Sequence, residues 1–230
     1  MIKRLEYPKY NIVLPDSKAK VKFRPFNVRE EKIMLLALES GDDSEVFSAI
    51  CDLVEVCAFN LVNFRKLSAV DAEYLFVQVR NKSLGEGLDV NAKCTSCGAS
   101  NIIDINLDRV EIERSAEINK KIKLTDNCTV VMKYPSVEVM FNAESGPDTA
   151  NIATAKCIEY IEIDGELTDC VDETIDEIVA WLEDLNKPEL AKMEEFLDSV
   201  PKLVYNDSFN CIKCKAHNTI KLEGLASFFA

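Results

Sequence analysis

Glycine and proline are scarce, seven of each in 230 residues, which argues against a disordered or low-complexity chain. No apolar run approaches the roughly 18 residues of a membrane-spanning helix. The opening Met1-Ile2-Lys3-Arg4-Leu5-Glu6-Tyr7-Pro8 carries charge and then proline, with no apolar stretch behind it, so no secretory signal is expected. Histidine occurs once, at His217. It reads as an exposed turn residue, and as a metal ligand only if a cysteine is spare. With no nucleophile motif around it, a Ser-His-Asp or Cys-His mechanism has little to stand on. Gly85-Glu86-Gly87 is too short for either phosphate-binding fingerprint, and no helix is expected after it. The carboxylates scatter over helix surfaces and suggest no general acid/base pair. These absences argue against an enzyme.

Positive charge is also in deficit. The net charge is -13, and residues 144–200 hold 17 Asp or Glu against 3 Lys, so the rest of the chain is close to neutral. A phosphate-binding surface needs the opposite balance. The acidic block reads as a solvated helical surface, or as a docking face for a basic partner.

Cysteine is plentiful. There are nine, and in a chain expected to stay in a reducing cytoplasm they suggest thiols and metal rather than disulfides. Cys51, Cys57, Cys128, Cys157 and Cys170 stand singly, and Cys51, Cys57 and Cys157 fall on helix-like stretches as small core hydrophobes. The other four form two pairs, Cys94-Thr-Ser-Cys97 and Cys211-Ile-Lys-Cys214. Each pair lies between strand-like runs, with Asn101 to Leu107 after the first and Asn218 to Leu222 after the second. One CxxC is a weak signal. Two in matching settings supply the four thiolates of a tetrahedral zinc site. An iron–sulfur cluster or unmetallated redox thiols are the alternatives. Neither pair opens a helix in the βαβ context of a thioredoxin-like motif.

The hydrophobic content of 47% is enough for a real core. The start reads as two short strands, at Ile12-Val13-Leu14-Pro15 and Val21 to Phe26. Asn27 and Glu30 have capping-box spacing before a helix whose apolar side is read as Ile33, Leu36, Ala37 and Ser40, ended by Gly41. A second helix is expected over about 43–62. A third opens at Ser68, with Asp71 as its capping partner. Residues 129–139 read as a strand, and helices are expected at about 147–164, 172–184 and 188–199. The fold class is α+β, helical bundles on small antiparallel sheets. The chain divides into an N-terminal half (1–110) and a C-terminal half (111–230), each with a strand ending in proline, about three helices and a CxxC knuckle. That shared order suggests a degenerate duplication, with the knuckle pair joining the halves into one intertwined unit. Arg24, Arg29, Arg80 and Lys82 are solvated charge at element ends, or anchors for a partner or for internal carboxylates.

Three segments together carry a resemblance. They are Val21-Lys22-Phe23-Arg24-Pro25-Phe26-Asn27-Val28-Arg29-Glu30-Glu31-Lys32, then Val79-Arg80-Asn81-Lys82-Ser83-Leu84-Gly85-Glu86, then the first CxxC. The chain resembles the baseplate hub proteins of T-even-type contractile-tailed bacteriophages, most densely over residues 12–100. The resemblance implies a hub subunit or assembly factor that binds other hub proteins. It implies assembly in the host cytoplasm, a place in the virion tail baseplate, and no catalytic residues. The competing reading is a zinc-ribbon adaptor for nucleic acid or a transcription complex. Lys93, Arg109, Lys213, Lys215 and Lys221 near the knuckles favour it, and the acidic bulk opposes it. An iron–sulfur protein is the third reading.

Overall fold

A computed structural model of the chain describes residues 6–114, 119–142 and 147–224. In chain order its strands and helices are β1 (Tyr10–Val13), β2 (Lys20–Phe23), α1 (Val28–Ser40), α2 (Asp43–Cys57), α3 (Ala69–Leu84), β3 (Gly87–Lys93), β4 (Ser100–Asn106), β5 (Glu111–Glu113), β6 (Lys121–Lys123), β7 (Cys128–Met132), α4 (Val137–Asn142), α5 (Pro147–Ala155), β8 (Ile158–Ile163), β9 (Glu166–Asp169), α6 (Ile175–Glu183), α7 (Lys187–Asp198), β10 (Lys202–Asn210) and β11 (His217–Glu223). All strand pairs are antiparallel. The architecture is α+β, as the sequence implies. The chain forms two compact units, the first Met1–Glu113 with Lys202–Ala230, the second Arg114–Pro201. The last strands then return to the first unit, so both CxxC pairs belong to it.

In the first unit, β1 and β2 form a hairpin closed by Leu14 N–H on the Ala19 carbonyl at 2.9 Å, with Lys18 left-handed at φ 58°. Asn27 and Glu30 form the expected capping box on α1, and Gly41 ends it at φ 69°. Glu30 does more than cap. Its two oxygens accept from the Arg24 guanidinium at 2.9 and 2.7 Å, and one also takes the Asn27 N–H at 2.8 Å. Burial opposes ionisation of Glu30, but Arg24 and the Asn27 N–H outweigh it and hold the carboxyl below its usual range. Along α2, Phe47, Ile50, Cys51, Leu53, Val54 and Cys57 are buried at helical spacing. The helix ends at Cys57, short of the expected 62, because Phe59 and Asn60 turn left-handed. Burial pushes the thiols of Cys57 and, in the second unit, Cys157 up to about 12, as befits core hydrophobes.

Two local expectations fail here. On α1 the buried residue is Met34, while Ile33 and Leu36 are each 56% exposed. The helix packs mainly through its Met34 side, and the strongest apolar stripe faces away. On α3, Ser68 makes no side-chain cap, and Asp71 is not its partner. The Asp71 carboxylate, 1% exposed, instead accepts the Asp16 and Ser17 N–H groups of the β1–β2 turn at 2.7 and 3.0 Å. A long-range anion site has displaced the local cap.

The second unit carries a four-stranded sheet in the order β6-β7-β8-β9. Val130, Met132, Ile158 and Ile161 meet Ile178, Leu182, Met193 and Phe196 in its core. The helix expected over 147–164 stops at Ala155. Residues 158–163 (Ile-Glu-Tyr-Ile-Glu-Ile) are strand β8, rich in β-branched side chains. Asp164 and Gly165, both at positive φ (52° and 85°), make the two-residue hairpin into β9. The strand expected over 129–139 ends at Met132, and Val137 begins α4, with Ser136 accepting from the Val139 N–H. Helices α6 and α7 start where expected, each with a capping box, Thr174–Glu177 and Asn186–Glu189. The β8–β9 hairpin has no counterpart between α2 and α3, where a single 3₁₀ turn (Phe64–Lys66) stands. The two halves therefore share an order of events only in outline.

Two outcomes follow from these contacts. Asp71→Ala leaves two turn amides without their acceptor and should cost about 2–4 kcal/mol in chemical denaturation, more than an exposed cap. Glu30→Gln should cost about 2 kcal/mol at neutral pH. Because the folded pKa of Glu30 is depressed, its contribution is complete above the unfolded carboxyl range and fades as pH falls through the lower folded value. Wild-type and Glu30→Gln stabilities should therefore converge in acid. A gap that persists or widens at low pH contradicts this assignment.

Candidate metal centre

Two hairpins build the centre. Strands β3 and β4 pair in register from Gly87↔Asn106 to Lys93↔Ser100, and β10 and β11 from Val204↔Glu223 to Asn210↔His217. Their turns repeat each other bond for bond. Cys94 N–H donates to the Ala99 carbonyl and Gly98 N–H to the Cys94 carbonyl, both at 2.9 Å. Cys211 N–H donates to Ala216 and Lys215 N–H to Cys211, again at 2.9 Å. The residue after each second cysteine is left-handed, Gly98 at φ 69° and Lys215 at φ 61°. Glycine does this without strain, whereas lysine bears a cost of about 1 kcal/mol. That cost is accepted because the turn puts both thiols of a pair on one side.

The pairs face each other. Cys94 Sγ lies 3.7 Å from Cys214 Sγ, and Cys97 Sγ lies 3.7 Å from Cys211 Sγ. All four sulfurs fall within 4.8 Å of one another. A disulfide needs about 2.05 Å, whereas a metal–sulfur tetrahedron with 2.3 Å bonds has edges of about 3.8 Å. The first cysteine of each pair is buried and the second is exposed. The site is therefore compatible with one metal ion held by four thiolates.

The backbone favours thiolate at the buried positions. The Cys97 N–H is the largest influence on Cys94; burial opposes it, and the Ser96 N–H and the Asn218 side chain reinforce it, bringing the thiol down to about 6. Cys211 is lowered in the same way by the N–H groups of Cys214 and Lys213. At Cys214 the Ala216 N–H pulls downward, but the crowding sulfur of Cys97, burial and the other two thiols push the group up to about 11. With no metal, four sulfurs this close cannot all carry charge, and a cation resolves that conflict.

A pair of asparagines locks the hairpins together. Asn101 accepts the Ile212 N–H at 2.9 Å and donates to the Ala99 carbonyl at 2.8 Å. Asn218 accepts the Thr95 N–H at 2.9 Å and donates to Ala216 at 2.8 Å. Each amide thus completes its own turn and grips the opposite one, and both are buried. Sequence reasoning passed over them as sites. Their signal is present, because both knuckles read C-x-x-C-x-x-x-N. The β1–β2 turn has the same shape without cysteines, and there Asp71 receives the two amides that the first thiolate receives in the other turns.

The remaining sequence candidates lie outside the cluster. His217 is exposed at the start of β11. Arg24 is committed to Glu30. Arg29 is exposed in the first turn of α1, and Lys82 lies 5.8 Å over the Tyr10 ring. Arg80 is 8% exposed, its Nη1 has no hydrogen-bond partner, and burial lowers its pKa. Among the described residues, no helix is long and apolar enough to cross a membrane.

Comparison with known proteins adds one match. Residues 7–230 fit the family described as T4 bacteriophage base plate protein. No curated protein and no solved structure matches the chain. The family match spans the β2–α1 segment, the end of α3 and the first knuckle, where the sequence resemblance lay, and extends over the rest of the chain to residue 230. The chain belongs to the T4 bacteriophage base plate protein family and is a structural protein of the phage baseplate.

Proposed function

We propose that this protein is a subunit or assembly factor of the central hub of the tail baseplate, and that its first unit is closed by one zinc ion on Cys94, Cys97, Cys211 and Cys214. It acts by binding other hub proteins through strand edges and helix faces, and not by catalysis. It is made in the host cytoplasm and carried into the tail. The observation that carries the metal reading is the sulfur spacing, 3.7 Å for two pairs and at most 4.8 Å for any. Thiolates of an iron–sulfur cluster sit on separate irons and spread further apart, so a single ion fits better. The family match supports the baseplate role. Arg24, Arg29, Arg80 and Lys82 stay as partner anchors in this reading, with Arg80 the strongest, because its buried Nη1 has no hydrogen-bond partner and gains from a partner's acceptor.

Elemental analysis of freshly purified protein should return about one zinc per chain. A metal-free folded protein overturns the clamp. Cys94→Ser and Cys211→Ser should each unfold the first unit, since structural zinc contributes roughly 10–16 kcal/mol to folding. The single tryptophan, Trp181, lies on α6 of the second unit, so its fluorescence should keep its folded value in both variants. Asn101→Ala and Asn218→Ala each strand a backbone N–H at the knuckle contact. Each should cost about 1–3 kcal/mol and speed zinc transfer to a chelator. The hub reading is tested in infected cells lacking this protein. Baseplates without a central hub support it, and complete baseplates contradict it.

A further inference from the structure

Helix α1 is thinly covered for a helix of the first unit. One of its 13 residues is buried, against six of 15 in α2 and ten of 16 in α3. What it exposes is apolar: Val28 at 81%, Ile33 and Leu36 at 56%, Leu35 at 49%. At 100° per residue, Leu36 lies nearly opposite Met34, so the apolar stripe points straight out from the unit. Patches of this kind on one element mark a contact surface.

The charges on that stripe indicate what covers it. Arg29 and Lys32 are exposed in its N-terminal half, Glu39 in its last turn, and Asp42 and Asp43 just beyond. None of Arg29, Lys32, Glu39 and Asp43 takes part in an ion pair among the described residues. Glu30 and Glu31 in the first turn serve the helix dipole, whereas Lys32 and Glu39 on the outward face stand against it, so the helix's own stability does not explain the order on that face. A second α1 laid antiparallel does. About a twofold axis at Leu35 and Leu36, Lys32 of each copy faces Glu39 of the other, and Leu36 meets its counterpart near the axis. The two dipoles also run head to tail.

We propose that the outward face of α1 is a homodimer contact, an isologous antiparallel helix pair between two copies of this chain. A three-turn helix offers less than the roughly 800 Å² per partner of a standard interface. The association is therefore weak, with Kd on the order of ten micromolar, and is strengthened where an assembly holds copies close together.

The test is sedimentation equilibrium of the full-length, metal-replete protein across concentration. A monomer–dimer equilibrium is expected near that Kd. Leu36→Glu should leave only monomer with unchanged helix content, because the side chain is exposed. Lys32→Glu and Glu39→Lys should each weaken the dimer roughly tenfold, since each change strikes the contact twice across the axis. Mixing the two single variants should restore pairing, because opposite charges then meet at both ends. A wild-type monomer at about 100 micromolar overturns the proposal and leaves the face to another baseplate protein. So does a dimer that ignores Leu36→Glu, or a mixture that fails to pair. These outcomes do not depend on the zinc reading, which the metal content decides separately.

Discussion

Four sulfur atoms from two distant turns must sit within 4.8 Å of one another, and the first unit depends on that constraint. The chain between Cys97 and Cys211 is long, with 114 positions separating the two thiols. Closing a loop of that length costs about 4 kcal/mol in chain entropy before any contact is counted. The reciprocal Asn101 and Asn218 bonds recover a part of it, and the pairing of β10 with β5 more. Neither relieves the repulsion of four crowded thiols, two of which the backbone amides already bias toward thiolate. In the proposed reading, a cation bound there would remove the repulsion and supply the closure energy in one step. The second unit, Arg114–Pro201, is an excursion of the chain between β5 and β10, and the knuckles bring that chain back.

The turn itself is a reusable part. All three hairpins of the first unit end in a left-handed residue and aim two amides at an anion. In two of them the anion is a thiolate of the same turn. In the third it is the carboxylate of Asp71, which lies 54 and 55 positions from the two donors and is delivered by α3. The same electrostatic demand is met by whichever anion the fold can bring near.

Local chemistry was readable in the sequence where a few neighbouring residues decide the outcome. The capping box at Asn27, the helix starts near 172 and 188, the stop at Gly41 and the two knuckles belong to that class. Choices between distant partners were not readable. Asp71 had the spacing of a cap and took a long-range role. Ile33 and Leu36 had the periodicity of a core face, but periodicity does not say which apolar side meets the protein. Residues 158–163 continued a helical pattern until the Asp164-Gly165 turn, a hairpin signal that outweighs periodicity, set them as a strand. The centre was half legible: the cysteines stood out, while the asparagines that hold the two turns face to face needed the fold to reveal them.

The central claim is that one ion is bound by these four thiolates and by nothing else. X-ray absorption at the zinc edge of protein purified without added metal tests it most directly. The account predicts a single shell of four sulfurs at about 2.3 Å. A shell mixed with nitrogen or oxygen, or an iron signal with a neighbouring iron, contradicts it.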